Sequence, residues 1–173
     1  FQRLISICSE KQLFTLKTLI NTGARINEAR HIEKQDLDKE RENIVLRITK
    51  VRAEMGEKRQ TPRIIPVSSE FFKYFYKNIN VYKIMSTNQT GKVLKKYAKD
   101  LAIRNYEDFS AHNLRKTFGT WMLALGIDGF KLAQYLGHSP NVLARSYAST
   151  DIFNSEDKMI MMQVLGNLPQ RMI

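Results

Sequence analysis

The chain has 173 residues, of which 43% are hydrophobic and 26% are charged. This length and composition are those of one globular domain with a substantial core, and they exclude a disordered chain. Lysine and arginine together number 28 against 17 acidic residues, which gives a formal net charge of +11. Such an excess of positive charge favours a polyanionic partner such as nucleic acid, although ribosomal and membrane-surface proteins share it.

The sequence contains a single cysteine, Cys8, which excludes internal disulfides and a cysteine-rich zinc site. No run of about 18 apolar residues predicts a membrane helix, and the first residues lack the pattern of a signal peptide. We therefore expect no membrane partner and a cytoplasmic location, in the interior of the host cell. Because Phe1 stands where an initiator methionine is usual, we expect the sequence to be a fragment of a longer protein.

The first half of the chain predicts two helices followed by a small sheet. Residues 10–22 carry apolar side chains at helical spacing, and a second short helix begins within RINEARHI, so Arg25 lies in the turn between them. The segments NIVLRIT (43–49) and PRIIPV (62–67) are rich in β-branched residues. They predict a two-stranded hairpin or the edge of a small sheet.

Two amphipathic helices are predicted after the sheet. Residues 68–79 open with a serine cap and place aromatic side chains on one face. Residues 90–101, TGKVLKKYAKDL, repeat the helical pattern with an apolar stripe beside four lysines. These lysines are Lys92, Lys95, Lys96 and Lys99. Such a stripe is a solvated face in most proteins, and with a DNA substrate it is a candidate surface for contacts with the phosphate backbone.

The second half of the chain predicts further helices. A 3.6-residue period from Ser110 predicts a helix that ends at Gly126, and a short helix follows and ends at Gly137. Within LGHSPNVLARSY, Ser139 is a candidate N-cap and Pro140 suits the first helical position, so residues 140–148 are predicted to be helical. The predicted fold is mainly α with a small antiparallel β-sheet, an α+β fold.

Several polar and aromatic residues of the second half stand out. His112 and Arg115 share a helix face that lies off the apolar stripe, so neither is required for the core. His138 follows a helix-ending glycine, where a helix dipole favours histidine, and Tyr147 follows nine residues later. Taken singly, each of these residues has an ordinary structural explanation. Tyr135 lies among apolar residues and is interpreted as a packing residue.

Four motifs occur in order: TGARINEA, ITK, AHNLRKTFGTWML and LGHSPNVLARSY. They contain a turn arginine, a strand-end lysine, His-x-x-Arg, Leu-Gly-His and a tyrosine nine residues after that histidine. In this order and spacing they resemble the tyrosine recombinase (phage integrase) family over about residues 10–149. Two features depart from the family pattern. The hairpin connection KVRAEMGEKRQTP is longer than expected, and Lys116 stands where many members have histidine.

The resemblance implies the tyrosine recombinase catalytic-domain fold and the cleavage and rejoining of DNA. The implied catalytic residues are Arg25, Lys50, His112, Arg115, His138 and Tyr147. Tyr147 would attack a DNA phosphodiester, form a 3′-phosphotyrosyl bond and release a 5′-hydroxyl. Because that bond keeps its energy for rejoining, the resemblance implies no ATP, no metal and no other cofactor.

The residue types suit these implied roles. Arg25 and Arg115 can bear the charge of the pentacoordinate phosphorane, because a guanidinium matches phosphate oxygens bidentately and stays charged. The two histidines can donate hydrogen bonds to phosphate oxygens or move the proton of the tyrosine. Lys50 is the candidate general acid for the leaving 5′-oxygen, with Lys58 as the alternative. Glu28, one turn beyond Arg25, is expected to orient that arginine.

The implied function is that of a site-specific DNA recombinase, most simply an integrase of a virus or plasmid, and the composition favours an archaeal element. A chromosome-dimer resolvase or a transposon recombinase has the same motifs. A type IB topoisomerase shares much of the chemistry, but the spacing from Leu-Gly-His to the tyrosine favours recombinases. The alternative from another class is a DNA-binding module without cleavage, in which a catalytic residue would be lost. All six positions are filled here.

The resemblance also implies the organisation and the partners of the protein. Residues 1–173 are expected to form a single catalytic domain, and the N-terminal DNA-clamping domain of complete recombinases is expected to be absent from this chain. Residues 149–173 are expected to include a docking helix, which is either passed to a neighbouring protomer or packed on its own chain. The expected partners are a double-stranded DNA attachment site and the other protomers of a homotetramer.

Overall fold

A computed structural model describes residues 6–47, 62–137, 139, 141 and 152–172. Its helices, in chain order, are α1 (Glu10–Thr22), α2 (Ile26–Ala29), α3 (Ser69–Asn78), α4 (Thr87–Asp100), α5 (Ala111–Ala124), α6 (Gly129–Leu136), α7 (Ser155–Leu165) and α8 (Leu168–Met172). Its strands are β1 (Leu37–Asp38), β2 (Asn43–Leu46) and β3 (Arg63–Pro66). This mainly helical architecture with a small antiparallel sheet confirms the predicted fold class. No helix within the ranges described is long and apolar enough to cross a membrane.

The boundaries of α1 follow from its terminal residues. The backbone N–H of Ser9 donates to Gln12 Oε1 at 2.9 Å, which satisfies one of the free donors of the first turn. Gly23 ends the helix in the left-handed conformation with φ 57°. Leu16 and Ile20 are fully buried, and the helix packs against α5. The predicted range of 10–22 is confirmed.

The sheet has three antiparallel strands in the order β1-β2-β3. Ile44 lies at its centre, where it pairs with Leu37 on one side and with Ile65 on the other. The sequence analysis missed β1, because a strand of two residues shows no alternation. The predicted strand over 43–49 is confirmed for residues 43–46, Arg47 lies beyond the end of β2, and residues 48 and 49 lie outside the described ranges.

Aromatic side chains hold α3 on the core. The side chain of Ser68 caps this helix by accepting a hydrogen bond from the backbone N–H of Phe71 at 3.2 Å. Phe75 stacks on Phe14 of α1 with 5.3 Å between ring centroids. Such offset aromatic pairs add to the free energy that burial itself provides. The predicted helix over 68–79 is therefore present, one residue shorter at each end.

Helix α4 starts three residues earlier than the sequence predicted. Ser86 and Gln89 form a reciprocal cap, in which Ser86 Oγ accepts from the Gln89 N–H at 3.3 Å and Gln89 Oε1 accepts from the Ser86 N–H at 3.0 Å. Leu94 and Tyr97 are buried on the inner face. The predicted lysines occupy the exposed face, and they are Lys92, Lys95, Lys96 and Lys99.

Helices α5 and α6 form the centre of the core in the second half. Phe118 on α5 and Leu132 on α6 are fully buried. Tyr135 stacks on Phe118 at 5.4 Å, and its hydroxyl donates to the carbonyl oxygen of Pro66 at 3.1 Å. This confirms the interpretation of Tyr135 as a packing residue. The helix predicted over 140–148 lies almost entirely outside the described residues.

The C-terminal tail forms two helices in place of the single predicted docking helix. Gly166 separates α7 from α8 with a φ of 59°. Leu165 and Leu168 are fully buried, with α7 packed on α1 and α5 and with α8 packed on β3. Arg171 of α8 donates to the carbonyl oxygens of Val67 and Glu42. These contacts lie within one chain, and exchange of the tail with a neighbouring protomer stays a prediction.

Candidate active site

A pocket of about 180 Å³ lies where the turn after α1 meets the first residues of α4 and α5. It is lined by Ala24, Arg25, Ile26, Thr87, Ser110, Ala111, His112 and Arg115. The structure thus brings together three of the six predicted catalytic residues, from segments almost ninety residues apart. Lys50, His138 and Tyr147 lie outside the described residues, as does Lys58, and their roles stay predictions.

Arg25 is held by Glu28. Arg25 is the residue before α2, and Glu28 is the third residue of that helix. Glu28 Oε2 accepts from the backbone N–H of Arg25 at 2.7 Å, while Glu28 Oε1 accepts from Arg25 Nη1 at 2.8 Å. The Glu28 side chain is 1% exposed and that of Arg25 is 32% exposed. One end of Arg25 is therefore fixed and part of its side chain faces solvent, which is the arrangement expected if Glu28 orients this arginine.

Arg115 lies in the core, although the apolar stripe of α5 does not require it there. Arg115 is 1% exposed, and its guanidinium bridges two helix ends. Nη1 donates to the carbonyl oxygen of Gly23 at 2.6 Å, and Nη2 donates to the carbonyl oxygen of Leu136. The last carbonyls of a helix carry partial negative charge and lack partners within the helix. A cation between the ends of α1 and α6 satisfies both, so the charged residue of this face points inward.

Glycine at position 23 is required by two features of this corner. Its backbone is left-handed, and a Cβ atom there would lie 2.4 Å from Cδ1 of Phe118. Glycine alone permits both the conformation and the close approach of the chain to α5. That approach brings the carbonyl of Gly23 to Arg115. The glycine of the motif TGARINEA thus helps to position the arginine of the motif AHNLRKTFGTWML.

Three arginines surround the buried carboxylate of Glu28. The nitrogen–oxygen distances are 2.8 Å to Arg25, 3.0 Å to Arg63 and 3.9 Å to Arg115. One negative charge cannot neutralise three positive charges, and the protein interior screens them less than water does. The cluster therefore carries an excess of positive charge at the floor of the pocket, which favours binding of an anion.

Arg63 is a residue of this cluster that was not predicted from the sequence. It is the first residue of β3, and it lies on the same face of the strand as the buried Ile65 two positions later. This alternation could have indicated that Arg63 points inward. The strand was interpreted only through its apolar residues, so the charged residue at its start was passed over.

His112 lies at the mouth of the pocket, in the first turn of α5. Partial loss of solvent around the ring lowers its pKa, and the positive charges of Lys116, Arg115 and Arg25 lower it further. The imidazole is therefore neutral at neutral pH, with one nitrogen able to accept a proton and the other able to donate a hydrogen bond. Lys116, which departs from the family pattern, contributes directly to this shift.

Tyr135 is unsuited to a role as nucleophile. Burial raises the pKa of its hydroxyl far above the ordinary value, and that hydroxyl is already bonded to a backbone carbonyl oxygen. A phenol must lose its proton to attack, and here the charged form would lie in an apolar core. The second tyrosine that could be considered, Tyr106, lies in a 3-10 turn outside the residues that line the pocket, and its hydroxyl donates to Glu107 Oε1 at 3.4 Å.

The described residues that line the pocket include no aspartate or glutamate. Within the described ranges, no three histidine, cysteine, aspartate or glutamate residues come together in a way that could hold a metal ion. The polar groups of the pocket are chiefly cationic or neutral. Its residues fit a phosphate group and do not fit a divalent cation.

Comparison with known proteins gives one family match and several structural matches. A sequence model described as "Phage integrase family" matches residues 1–152. No curated protein sequence matches the chain. Solved structures of similar fold include the Tn1549 transposon integrase in complex with transposon right end DNA, at 20% identity and a TM-score of 0.67. That match covers 95% of this chain and 63% of the integrase.

Two recombinases give comparable structural matches. XerA recombinase matches at 21% identity with a TM-score of 0.64, over 94% of this chain and 60% of XerA. XerH site-specific recombinase, solved in a pre-cleavage complex with its difH substrate, matches at 18% identity with a TM-score of 0.62, over 91% of this chain and 50% of XerH. The chain thus spans about half to two thirds of the length of the structures that it matches.

Proposed function

Because the chain belongs to the phage integrase family, we propose that it is the catalytic domain of a tyrosine-type, site-specific DNA recombinase. The observation that carries this proposal is the convergence of Arg25, His112 and Arg115 on one cationic pocket. Three residues that the family motifs single out meet there from distant parts of the chain. The proposed substrate is a double-stranded DNA attachment site, and a phosphodiester of that DNA would occupy the pocket.

The proposed reaction is a transesterification. The hydroxyl oxygen of Tyr147 attacks the phosphorus, a new bond joins the tyrosine to the 3′-phosphate, and the bond to the 5′-oxygen breaks. His112 or His138 accepts the tyrosine proton, and Lys50 donates a proton to the leaving oxygen. One phosphoester replaces another of similar energy, so rejoining needs no ATP. No cofactor takes part in this scheme.

The two arginines are proposed to stabilise the charge that develops on the phosphate. Arg115 is held by two backbone carbonyls and Arg25 by Glu28, so neither needs to reorganise when the reaction begins. Charges fixed in advance in a site with little water are the most effective stabilisers of a transition state. His112 is neutral at neutral pH and can donate a hydrogen bond to a phosphate oxygen or accept the tyrosine proton.

The exposed lysines of α4 are proposed to contact the DNA backbone. Thr87, the first residue of this helix, lines the pocket, so the helix begins at the active site. At 1.5 Å per residue, the lysine stripe extends from about 8 Å to about 18 Å beyond that point. No acidic residue lies in the first turn of α4 to repel a phosphate. Duplex DNA with its reacting phosphate in the pocket can therefore run along this face.

Assembly and location follow from the proposed reaction. Exchange of strands between two DNA sites needs a pair of cleaving subunits on each site, so we propose a homotetramer on DNA. In that assembly the C-terminal helices either stay on their own chain or dock on a neighbour. The proposed location is the interior of the host cell, where the DNA is.

Covalent capture tests the proposal. The probe is a pool of nicked duplexes with randomised sequence around the nick, in which cleavage releases a short oligonucleotide and prevents rejoining. We expect the protein to form a phosphotyrosyl adduct in EDTA without ATP, and Tyr147→Phe to form none while keeping its affinity for DNA. Non-specific affinity comes mainly from neutralised phosphates, which this substitution does not change.

Two results would contradict the proposal. An adduct that persists in Tyr147→Phe would show that another residue is the nucleophile. A wild-type protein that binds DNA and never forms an adduct would favour the alternative of a non-catalytic DNA-binding module. The sequences recovered from the wild-type adduct provide the duplex for the kinetic experiments below.

A further inference from the structure

The guanidinium of Arg63 touches the two parts of the fold that also hold Arg115. Its Nη2 donates to Glu28 Oε2 at 3.0 Å. Its Nη1 lies over Gly137, where a Cβ atom would be 2.1 Å from that nitrogen and 2.9 Å from Cζ. Arg115 lies near the same carboxylate oxygen and donates to the carbonyl of Leu136, one residue earlier. Arg63 and Arg115 thus meet at Glu28 and again at the end of α6.

Glu28 has little capacity left for Arg115 because Arg63 is present. Each carboxylate oxygen offers about two acceptor positions. Oε2 is occupied by the backbone N–H of Arg25 at 2.7 Å and by Arg63 at 3.0 Å. Arg115 Nη1 lies 3.9 Å from the same oxygen, beyond hydrogen-bond distance, and donates to Gly23 at 2.6 Å. If Arg63 were lost, the free position on Oε2 would attract the buried guanidinium of Arg115.

Arg63 also supports the end of α6. Gly137 has a φ of 64°, so the chain turns sharply there. The guanidinium of Arg63 covers the α-carbon at that turn, and its side chain is only 13% exposed. A planar group packed against the turn limits the movement of the Leu136 carbonyl that receives Arg115.

We propose that Arg63 is a positioning residue of the active site, which keeps Arg115 directed at the reacting phosphate by occupying Glu28 and by supporting the Leu136–Gly137 turn. Arg63 itself does not line the pocket, so its effect passes through Arg115. The inference rests on the proposed function, in which Arg115 binds the phosphate.

The experiment combines Arg63→Met, Arg63→Lys, Glu28→Gln and the double variant Arg63→Met with Glu28→Gln. The matched control is Arg171→Met, which removes another arginine bound to backbone carbonyls, in a helix that contributes no residue to the pocket. Single-turnover cleavage at saturating DNA, the Kd for DNA and the melting temperature are measured for each. Wild type and Arg115→Ala show whether the assay reports the proposed reaction.

We expect Arg63→Met to slow cleavage by about 10- to 100-fold, with the Kd changed less than about threefold, as for supporting residues of other catalytic sites. Arg63→Lys keeps the charge but not the planar fork, so it should recover only part of the rate. In the Glu28→Gln background the carboxylate no longer competes for Arg115, so Arg63→Met should cost clearly less than it does in the wild type, because only the support of the Leu136–Gly137 turn is then lost. Arg171→Met should lower the melting temperature without changing the rate of the folded protein.

Other outcomes separate this inference from the proposed function. If wild type cleaves and Arg115→Ala does not, while Arg63→Met and Arg63→Lys both cleave like wild type, only the role of Arg63 is overturned. If the fold-reductions in cleavage rate caused by Arg63→Met and by Glu28→Gln multiply in full in the double variant, the two residues act independently, and the role of Arg63 is also overturned. If Arg63→Met does not fold, Arg63→Lys replaces it in the test. A melting temperature and a cleavage rate of Arg63→Lys that both equal those of the wild type would overturn the role of Arg63. Absence of cleavage by the wild type overturns both proposals.

Discussion

The floor of the pocket and the outer face of α4 both carry clustered positive charge. The charged groups are fixed by partners in the pocket and are more mobile on α4. In the pocket, Arg115 is buried with two backbone carbonyls as partners, and Glu28 fixes Arg25. On α4, the four lysines are exposed to solvent on long, flexible side chains. A fixed charge can stabilise a transition state at one point in space, whereas a mobile charge suits a backbone of variable position. Under the proposed function, the fixed arginines act in catalysis and the mobile lysines act in binding.

The largest expected effect on stability comes from a substitution that disrupts the corner where Arg115 is held. Gly23→Ala places a Cβ 2.4 Å from the Phe118 ring in a left-handed backbone. We expect it to lower the free energy of unfolding by about 3 kcal/mol, from overpacking together with backbone strain. Chemical denaturation measures the change.

Gly91→Ala is the matched control for that substitution. Gly91 lies inside α4 with nothing within 4 Å of its Cβ position. Alanine should stabilise that helix by about 0.5–1 kcal/mol. A destabilisation of the same size at both positions would contradict the requirement for glycine at the corner that holds Arg115.

A smaller effect is expected on the α4 side. Replacing Lys92, Lys95, Lys96 and Lys99 with alanine should weaken DNA binding by about 10-fold. The slope of the logarithm of the binding constant against the logarithm of the salt concentration should become shallower, by up to about 0.9 for each phosphate that is no longer neutralised. The single-turnover rate at saturating DNA should stay close to that of wild type. Fluorescence anisotropy over a range of salt concentrations measures the change.

A set of four exposed lysines elsewhere provides the control for charge alone. Replacing Lys11, Lys73, Lys77 and Lys83 removes the same number of charges from other surfaces. The loss of DNA affinity should be smaller for this control set than for the four lysines of α4. Equal effects on affinity and on salt dependence would mean that net charge, and not the face of α4, attracts the DNA.

The sequence predicted the helices well, together with the place of Arg25 in a turn, because helical periodicity and the glycine after α1 are local signals. It could not predict the burial of Arg115. That burial depends on carbonyls 92 and 21 residues away in the chain, at Gly23 and Leu136. A surface pattern on a helix does not reveal that two other helices end against it. Arg63 is a different case: the alternation of β3 could have indicated that its side chain points inward, but not that its partner is Glu28, which lies 35 residues earlier.

The smallest expected effect concerns pH. The pKa of His112 is lowered in the folded protein, so between that pKa and about 6.5 the unfolded chain binds a proton that the folded chain does not. The contribution of His112 to stability is therefore complete above about pH 6.5 and is lost as the pH falls toward the folded pKa. His112→Gln should make unfolding less dependent on pH in that window. If the free energy of unfolding depends on pH in the same way in the wild type and in His112→Gln, the lowered pKa of His112 would be contradicted.

The central claim is that Arg115 neutralises charge on the reacting phosphate. A substrate with a methylphosphonate at the cleavage position tests it directly, because a methyl group replaces one non-bridging oxygen and removes its charge. On the ordinary phosphate, Arg115→Ala should slow single-turnover cleavage by about 1000-fold, and on the methylphosphonate the defect should shrink to about 10-fold. Lys96→Ala, on the face of α4, should respond alike to both substrates. An Arg115→Ala defect of the same size on both substrates would contradict the account.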